Sequence, residues 1–495
     1  MRASVVLAID QGTTGTRAIL YSKVGTMLGA AYQEFRQHYP SPGWVEHNPL
    51  EIWHSTLSVI RKVMLQTRVL PSQLATVGIT NQRETTLLWD RRTGKPVYPA
   101  IVWQDRRTAS RCEQLKKRGF EKLFRGKTGL VLDPYFSGTK ISWILEHGRG
   151  LRRRAEKGEI LFGTIDTWLL WNLTGGRSHA TDFTNASRTL LFNIKTKDWD
   201  SELLRILKIP RALLPRVQNS GSRFGETVRL KPLASGIPIH AMVGDQQAAL
   251  YGQACYKKGE VKNTYGTGCF AVLNLGSHFR KPPFGLLATL ACDREGKPVY
   301  ALEGSVFIAG AAIQWLRDGL GFFKKAGETE RLAQSVKDAG GVVVIPALAG
   351  LGSPYWNPYV RGMITGLTRG TRREHIVRAT LESLAQQTAD MLELMQREAG
   401  PSIHELKVDG GATANRFLMQ FQADLLGMPI LVSDIAEATA WGAAKLAGTS
   451  SAFWTSLKTL DRGRRYRRFT PRFSRGRREA LRGIWKKEIR RLLFS

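Results

Sequence analysis

The chain has 495 residues, too many for one hydrophobic core, so two large domains are expected. Its balance of 42% hydrophobic and 23% charged residues is that of a globular protein. No apolar run reaches the ~18 residues of a membrane-spanning helix, which excludes an integral membrane protein of that kind. The formal net charge is +32, concentrated at residues 149–154 and between Arg462 and Arg491, where fourteen Arg or Lys stand against Glu479 and Glu488.

Excess charge speaks to solubility and non-specific binding rather than to fold. Contact with nucleic acid or an anionic membrane, and a basic surface without a dedicated partner, are both compatible with it. Cys112, Cys255, Cys269 and Cys292 are scattered, with no CxxC pair, which argues against a disulfide framework or structural zinc and fits a reducing cytosol. No secretory leader is expected, because Arg2 runs directly into a strand pattern carrying Asp10 and Arg17.

In chain order, residues 5–20 form an apolar run, then Asp10-Gln11-Gly12-Thr13-Thr14-Gly15-Thr16-Arg17, then a second apolar run. This pattern predicts a hairpin whose small, polar turn exposes backbone N–H groups that can cradle a phosphate. Asp10, at the end of the first strand, could hold a divalent cation beside it. An ordinary Gly/Thr hairpin has the same local pattern. A strand is expected over 28–39, and a helix over 50–65 from the spacing of Ile52, Leu57, Ile60 and Met64. Val77 to Thr80 reads as a buried strand ending near Arg83-Glu84, and Ala100 to Trp103 as another. Residues 137–147 read as a helix, as do residues from Trp168 to Trp171.

Ile239 to Val243 is a strand that runs into a helix with Asp245-Gln246 at the junction. Lys257-Lys258-Gly259-Glu260 suggests a domain boundary. Past it, residues 261–275 repeat the opening chemistry: strand, Tyr265-Gly266-Thr267-Gly268 turn, strand. A helix through Ile313 and Trp315, a long helix over 373–399 and a strand over 406–409 opening into Gly410-Gly411 complete the second half. From Gly463 the sequence is basic and of low complexity, and predicts a terminal helix with frayed arms.

Three Gly-rich turns, each after an apolar strand and spread over both halves, suggest a nucleotide held between two related α/β domains. There is no GxxxxGK[ST] and no kinase HRD/DFG set, which excludes P-loop and protein-kinase readings, and no well-formed GxGxxG between strand and helix, which argues against dinucleotide redox chemistry. Asp245 at a strand end could take a proton from a substrate hydroxyl during phosphoryl transfer, or could simply cap a helix. Arg83-Glu84 pairs donors with acceptors, as a polyol requires, though a surface ion pair would also account for it. Trp103, Tyr135 and Phe270 could lie against a short carbon chain, or be plain packing. Gly310 and Gln314, one turn apart, suit either nucleotide contact or helix packing.

Several segments resemble the FGGY carbohydrate kinases of the actin/Hsp70-like ATPase superfamily. They are Asp10-Gln-Gly-Thr-Thr, Gly78-Ile-Thr-Asn-Gln-Arg-Glu-Thr-Thr, Asp133-Pro-Tyr-Phe-Ser-Gly-Thr-Lys, Gly163-Thr-Ile-Asp-Thr-Trp, Asp182-Phe-Thr-Asn-Ala-Ser-Arg-Thr, Gly244-Asp-Gln-Gln-Ala-Ala and Asn263-Thr-Tyr-Gly-Thr-Gly-Cys-Phe. Residues 135–147 and 362–382 look like the two signatures of the whole family. The set Arg83, Glu84, Trp103, Tyr135, Asp245, Gln246 and Phe270 is similar to that of the glycerol-phosphorylating branch.

The resemblance implies an α/β fold of two ribonuclease H-like domains (1–256 and 257–461) with a cleft between them, followed by a basic segment, 462–495. It implies transfer of the γ-phosphoryl of ATP to glycerol, giving sn-glycerol 3-phosphate, the first step of glycerol utilisation. Asp245 would be the base. Arg83, Glu84, Tyr135 and Gln246 would hold hydroxyls, and Trp103 and Phe270 would pack on carbon. Thr13, Thr14, Gly15, Arg17 and Thr267 would meet phosphates, and Gly310, Gln314, Gly411 and Asn415 the rest of the nucleotide. Asp10 with Asp245 would place Mg²⁺. A cytoplasmic homo-oligomer, dimer or tetramer, with no obligate nucleic-acid partner is also implied.

The chain departs from the family pattern in places. Gly15 stands where a serine is usual, so one hydroxyl near the phosphates is missing, and Gly15→Ser is expected to lower the KM for ATP. Residues 228–233 lack the Gly-Gly-Lys-Gly-Gly-Thr-Arg loop with which regulated bacterial members bind fructose 1,6-bisphosphate. The C-terminus is unusually Arg-rich, and Trp441 replaces a smaller aliphatic residue.

Overall fold

The structure, a computed structural model, describes residues 4–399, 403–435, 437–462 and 464–494. In the first half the elements that frame the site are β1 (Val5–Gln11), β2 (Gly15–Ser22), β3 (Met27–Glu34), α1 (Pro49–Thr67), β4 (Leu74–Asn81), α2 (Ser137–His147), β5 (Gly225–Glu226), β6 (Pro238–Gly244) and α3 (Asp245–Gly252). The second half contributes β7 (Val261–Tyr265), β8 (Cys269–Gly276), β9 (Leu287–Cys292), β10 (Pro298–Val306), α4 (Gly310–Asp318), α5 (Arg373–Ala399), β11 (Leu406–Asp409), α6 (Arg416–Leu426), β12 (Ile430–Ser433), α7 (Ala438–Ser450), β13 (Tyr466–Phe469) and α8 (Arg475–Phe494). The strand expected to reach Tyr39 ends at Glu34.

Two sheets organise the chain, with orders β5-β6-β4-β1-β2-β3 and β9-β10-β8-β7-β11-β12-β13. They follow one plan. In each, the first strand makes an antiparallel hairpin with the second, β1 with β2 and β7 with β8. On its other side it pairs in parallel with a later strand, β4 or β11. A further parallel strand, β6 or β12, lies beyond that one. The likeness of the two turns, legible as a chemical echo, thus reflects two sheets built on a shared core plan. Central strands are covered on both faces, which is why β1 and β4 read as continuous apolar runs rather than alternating ones.

The parallel register sets the functional end. Asp10 of β1 pairs with Thr80 of β4, and Gly244 of β6 with Asn81. The C-terminal ends of three adjacent parallel strands therefore deliver Asp10, Arg83-Glu84 and Asp245 to one edge, where open α/β sheets place their ligands. In the second sheet Thr264 pairs with Asp409, which sets the Gly266 turn beside Gly410-Gly411.

Helix α7, from the second half, packs on the first. A Cβ at Gly442 would come 1.9 Å from the Ala248 carbonyl, one at Gly252 2.0 Å from Ala438, and one at Gly78 2.4 Å from Ala443. Glycine is required there by close backbone approach. Trp441, on the same helix, fills the seam against Tyr21, centroids 5.0 Å apart, and Trp454, 5.6 Å apart.

The basic C-terminus does not form frayed arms among the described residues. β13 pairs along the edge of the second sheet. Arg482 of α8 is buried against Asp390 at 2.5 Å and Glu393 at 2.6 Å, and Trp485 Nε1 donates to Asp390 Oδ2 at 2.8 Å. No helix among the described residues is long and apolar enough to cross a membrane.

Candidate active site

At the edge of the first sheet lies a buried ionic network. Arg83 grips Glu303 with both terminal nitrogens, at 2.6 and 2.9 Å, and its Nε lies 3.2 Å from Asp245 Oδ1. Arg188 bridges Glu84 at 2.6 Å and Glu303 at 3.0 Å, and its guanidinium lies over the Tyr135 ring. Burial pushes the Glu303 carboxyl up, but Arg188 and Arg83 outweigh it and hold it at about 2. For Glu84 burial wins over Arg188 and Arg83, and its carboxyl is raised.

Glu84 also adopts φ +61°, a left-handed conformation that is unfavourable for a side chain with a Cβ. Its carbonyl accepts from Ser137 Oγ at 2.9 Å and Thr86 Oγ1 at 3.0 Å, which holds the conformation. Oε1 takes the bond from Arg188, and Oε2 takes no hydrogen bond from protein among the described residues.

Asp245 opens α3 after the Gly244 N-cap. The Gln246 backbone N–H donates to Oδ1 at 2.7 Å, and Arg83 Nε is ion-paired with the same oxygen. Oδ2 is left for another proton donor. Trp103, Tyr135 and Phe270 form an aromatic wall that meets the ionic network where Arg188 lies over Tyr135: Trp103 lies 5.5 Å from Tyr135 and 6.2 Å from Phe270, both edge-on. Trp103 Nε1 donates to Thr13 Oγ1 at 2.9 Å, which joins the wall to the first glycine turn. All seven residues expected to face a polyol are thus brought into one connected cluster.

The first turn is closed by Gly12 N–H to the Gly15 carbonyl at 2.9 Å. Arg17, opposite Asp10 in the hairpin, is ion-paired with Glu437. At Gly15 the geometry argues against the gain expected from Gly15→Ser. A Cβ there would lie 2.6 Å from the Tyr32 ring and 2.7 Å from the Gln33 carbonyl. Tyr32 Oη lies 3.4 Å from Thr14 Oγ1. The space for a residue-15 side chain is therefore taken by the neighbouring strand, and Gly15→Ser cannot simply restore a hydroxyl.

The second turn lines a cavity of about 450 Å³ with Thr267, Gly310, Gln314, Gly411 and Asn415, so these five expected contacts also meet. Gly310 N–H donates to the Gly266 carbonyl at 3.0 Å, and Ala309 and Ala311 both donate to Thr267. Asn415 caps α6 through Leu418 N–H and also donates to Thr329 Oγ1 at 3.1 Å.

The comparisons with known proteins agree along the whole length. The N-terminal domain of the FGGY family of carbohydrate kinases matches residues 5–252, and the C-terminal domain of the same family matches 261–451. The chain belongs to this family. The glycerol kinase of a Geobacillus species is 53% identical over 486 residues, 98% of each chain. Glycerol kinase 2 of Thermotoga maritima is 54% identical over 494 residues, covering 99% of this chain and 98% of its own. Among solved structures, Plasmodium falciparum glycerol kinase with ADP superposes with a TM-score of 0.92 at 35% identity, covering 99% of each chain.

The donor set of this FGGY kinase fits a hard divalent cation. Asp10 accepts no hydrogen bond from a protein side chain among the described residues, and desolvation raises its carboxyl to about 7, with Arg17 opposing and Asp245 adding. No cluster of three or more His, Cys, Asp or Glu ligands exists among the described residues. One or two carboxylates with waters and phosphate oxygens is the coordination Mg²⁺ prefers.

Arg188, Glu303 and Lys262 were not singled out by the sequence reading. Glu303 had a signal: it is a lone carboxylate inside the apolar run Tyr300 to Val306, where an unpaired charge is costly. Lys262 is likewise a lone charge in β7. Burial pushes its ammonium down to about 8, with Asp409 and Asp245 opposing.

Proposed function

We propose that this protein transfers the γ-phosphoryl group of ATP to a terminal hydroxyl of glycerol, giving sn-glycerol 3-phosphate. The observation that carries this reading is Asp245. Its Oδ1 is committed to Arg83 and the backbone, while Oδ2 takes no donor among the described residues, and the same ionic network meets a wall of three aromatic rings through Arg188. A carboxylate so held can accept the proton of a bound hydroxyl as its oxygen attacks phosphorus.

Arg83 donates to the polyol and orients Asp245. Glu84 Oε2 accepts a hydroxyl proton, and Tyr135 and Gln246 hold the remaining hydroxyl. Trp103 and Phe270 cover the carbon chain and exclude water. Thr13, Thr14, Arg17 and Thr267 meet phosphates from both sides, while Gly310, Gln314, Gly411 and Asn415 contact the rest of the nucleotide in the 450 Å³ cavity. Asp10 and Asp245 would hold Mg²⁺, which would supply neutralisation of phosphate charge. Catalysis is then mostly positioning and electrostatics, as phosphoryl transfer allows.

In this reading residues 1–256 bind polyol and phosphate, 257–461 bind nucleotide, and 462–495 complete the second half with no obligate nucleic-acid partner. A cytoplasmic homo-oligomer, dimer or tetramer, is part of the same proposal, and four free, buried cysteines are compatible with a reducing compartment. An assay of ADP release over a panel of polyols tests the reading. Glycerol is expected to give the highest kcat/KM, and a preference for xylulose or gluconate would overturn it.

A further inference from the structure

We infer that Lys262 is a positioning residue for the polyol: its ammonium locks the Gln246 side-chain amide so that the NH₂ group faces the substrate. The inference rests on the placement of Gln246 in the polyol site proposed above.

The Lys262 side chain is fully buried. Nζ lies 2.5 Å from Gln246 Oε1, 2.9 Å from Thr264 Oγ1 and 3.3 Å from the Phe270 carbonyl oxygen. An ammonium has three protons and no lone pair, so these three acceptors use it completely. The two ends of a glutamine amide are otherwise interchangeable. Facing a group that can only donate, the oxygen must turn inward, because an inward NH₂ would leave two buried donors unpaired.

Gln246 Nε2 then points away from the lysine, and it finds no protein acceptor among the described residues. Gln246 can therefore offer a polyol only donors. The hydroxyl it meets must accept through oxygen and give its own proton to another group. This divides the site by polarity, with Asp245 and Glu84 accepting protons and Gln246 supplying them. The same nitrogen joins the two halves of the molecule, since Gln246 lies on α3 and Lys262, Thr264 and Phe270 on the β7–β8 hairpin. Through the Phe270 carbonyl it also holds the backbone that carries one aromatic ring of the wall.

Arginine is not an equivalent replacement, because its planar fork cannot offer three protons from one atom. A lysine needed only for folding would affect glycerol and nucleotide alike, and kinetics separate the two cases. Initial rates are measured with glycerol and ATP varied independently for the wild type, Lys262→Met, Gln246→Ala and the double variant. Lys262→Met is expected to raise the KM for glycerol about tenfold, the scale of one lost hydrogen bond at a buried site, with the KM for ATP within about twofold.

The double variant is expected to match Gln246→Ala alone, because the lysine acts through the glutamine. Multiplying effects in the double variant, equal rises in both KM values, or an unchanged KM for glycerol in Lys262→Met would overturn the inference. Gln246→Glu keeps the test open if Lys262→Met does not fold. Its carboxylate pairs with the ammonium but lacks the donor, so it is expected to fold with an undiminished Tm and a raised KM for glycerol. A normal KM for glycerol in that variant would also overturn the inference. An unchanged KM for glycerol in Gln246→Ala would instead remove Gln246 from the polyol site, and with it the reading on which the inference stands.

Discussion

The turn after β1 and the turn after β7 occupy equivalent places in two sheets of like topology, but their backbones are held differently. In the second, the carbonyls of Gly266 and Thr267 accept three N–H groups from Ala309, Gly310 and Ala311, which welds the turn to the start of α4. In the first, the ties beyond the hairpin's own closure come mainly from side chains: Trp103 to Thr13, Tyr32 to Thr14, Gln37 to the Thr13 carbonyl, and Arg17 to Glu437. A turn fixed by backbone makes a permanent floor for a ligand. A turn held by side chains from the polyol wall and from the other half can respond to what those elements bind. In the proposed reading the second half is the preformed nucleotide seat, and the first carries the chemistry and the coupling to substrate.

Variants that separate the two halves should break this contrast or sharpen it. The largest effect is expected from Asp245→Asn, which keeps the shape but cannot accept the proton. Loss of a general base typically costs ~10²–10⁴-fold in kcat. Nucleotide affinity, measured by calorimetry, should stay within about threefold, because the nucleotide cavity does not include this residue. A near-normal kcat would refute its role. Gly310→Ala tests the seat from the other side. The new methyl would lie 2.6 Å from the Gly266 carbonyl, with backbone on both sides of the contact. Overpacking of this kind costs about 1–3 kcal/mol, so the KM for ATP should rise about tenfold or more while the KM for glycerol holds. An equal rise in both would mean that the seat is not independent of the polyol site.

Much of this arrangement was legible in the sequence, for a physical reason. Asp10, Arg83-Glu84 and Asp245 each lie at or within a few residues of the end of an apolar run, and in parallel sheets the ends of such runs gather at one edge. What sequence reading missed lies where partners are far apart in the chain. Glu303 meets Arg83 across 220 positions and Arg188 across 115. Neither pairing leaves a local pattern. Tyr32 is a different kind of miss. It sits opposite Arg17 on β3, so it fills the space at Gly15 through strand register, which one strand read alone does not reveal.

That register gives the next prediction. Gly15→Ser is expected to raise the KM for ATP several-fold and to lower Tm, because its Cβ collides with the Tyr32 ring and the Gln33 carbonyl. The Tyr32→Ala companion removes the ring clash and should recover part of both losses, leaving the part due to Gln33. If Gly15→Ser alone lowered the KM, the first turn would be loose enough to displace its neighbouring strand, which would sharpen its contrast with the second turn.

The smallest effect is expected at Glu437→Gln, which removes the ion pair tying Arg17 to the second half. Both side chains are about one-third exposed, so water and salt screen the interaction, and such pairs contribute about 0–1 kcal/mol. A change in the KM for ATP of about threefold or less follows, larger at low ionic strength and vanishing near 1 M salt, where the screening length falls to about 3 Å. Its direction carries the information. With Glu437 gone, Arg17 loses its competitor for anionic ligands, so the KM for ATP should fall if the pair restrains Arg17 from the phosphates. A salt-dependent rise would mean that the pair orients Arg17 toward them, and that the first turn, like the second, is held in its working geometry before the nucleotide arrives.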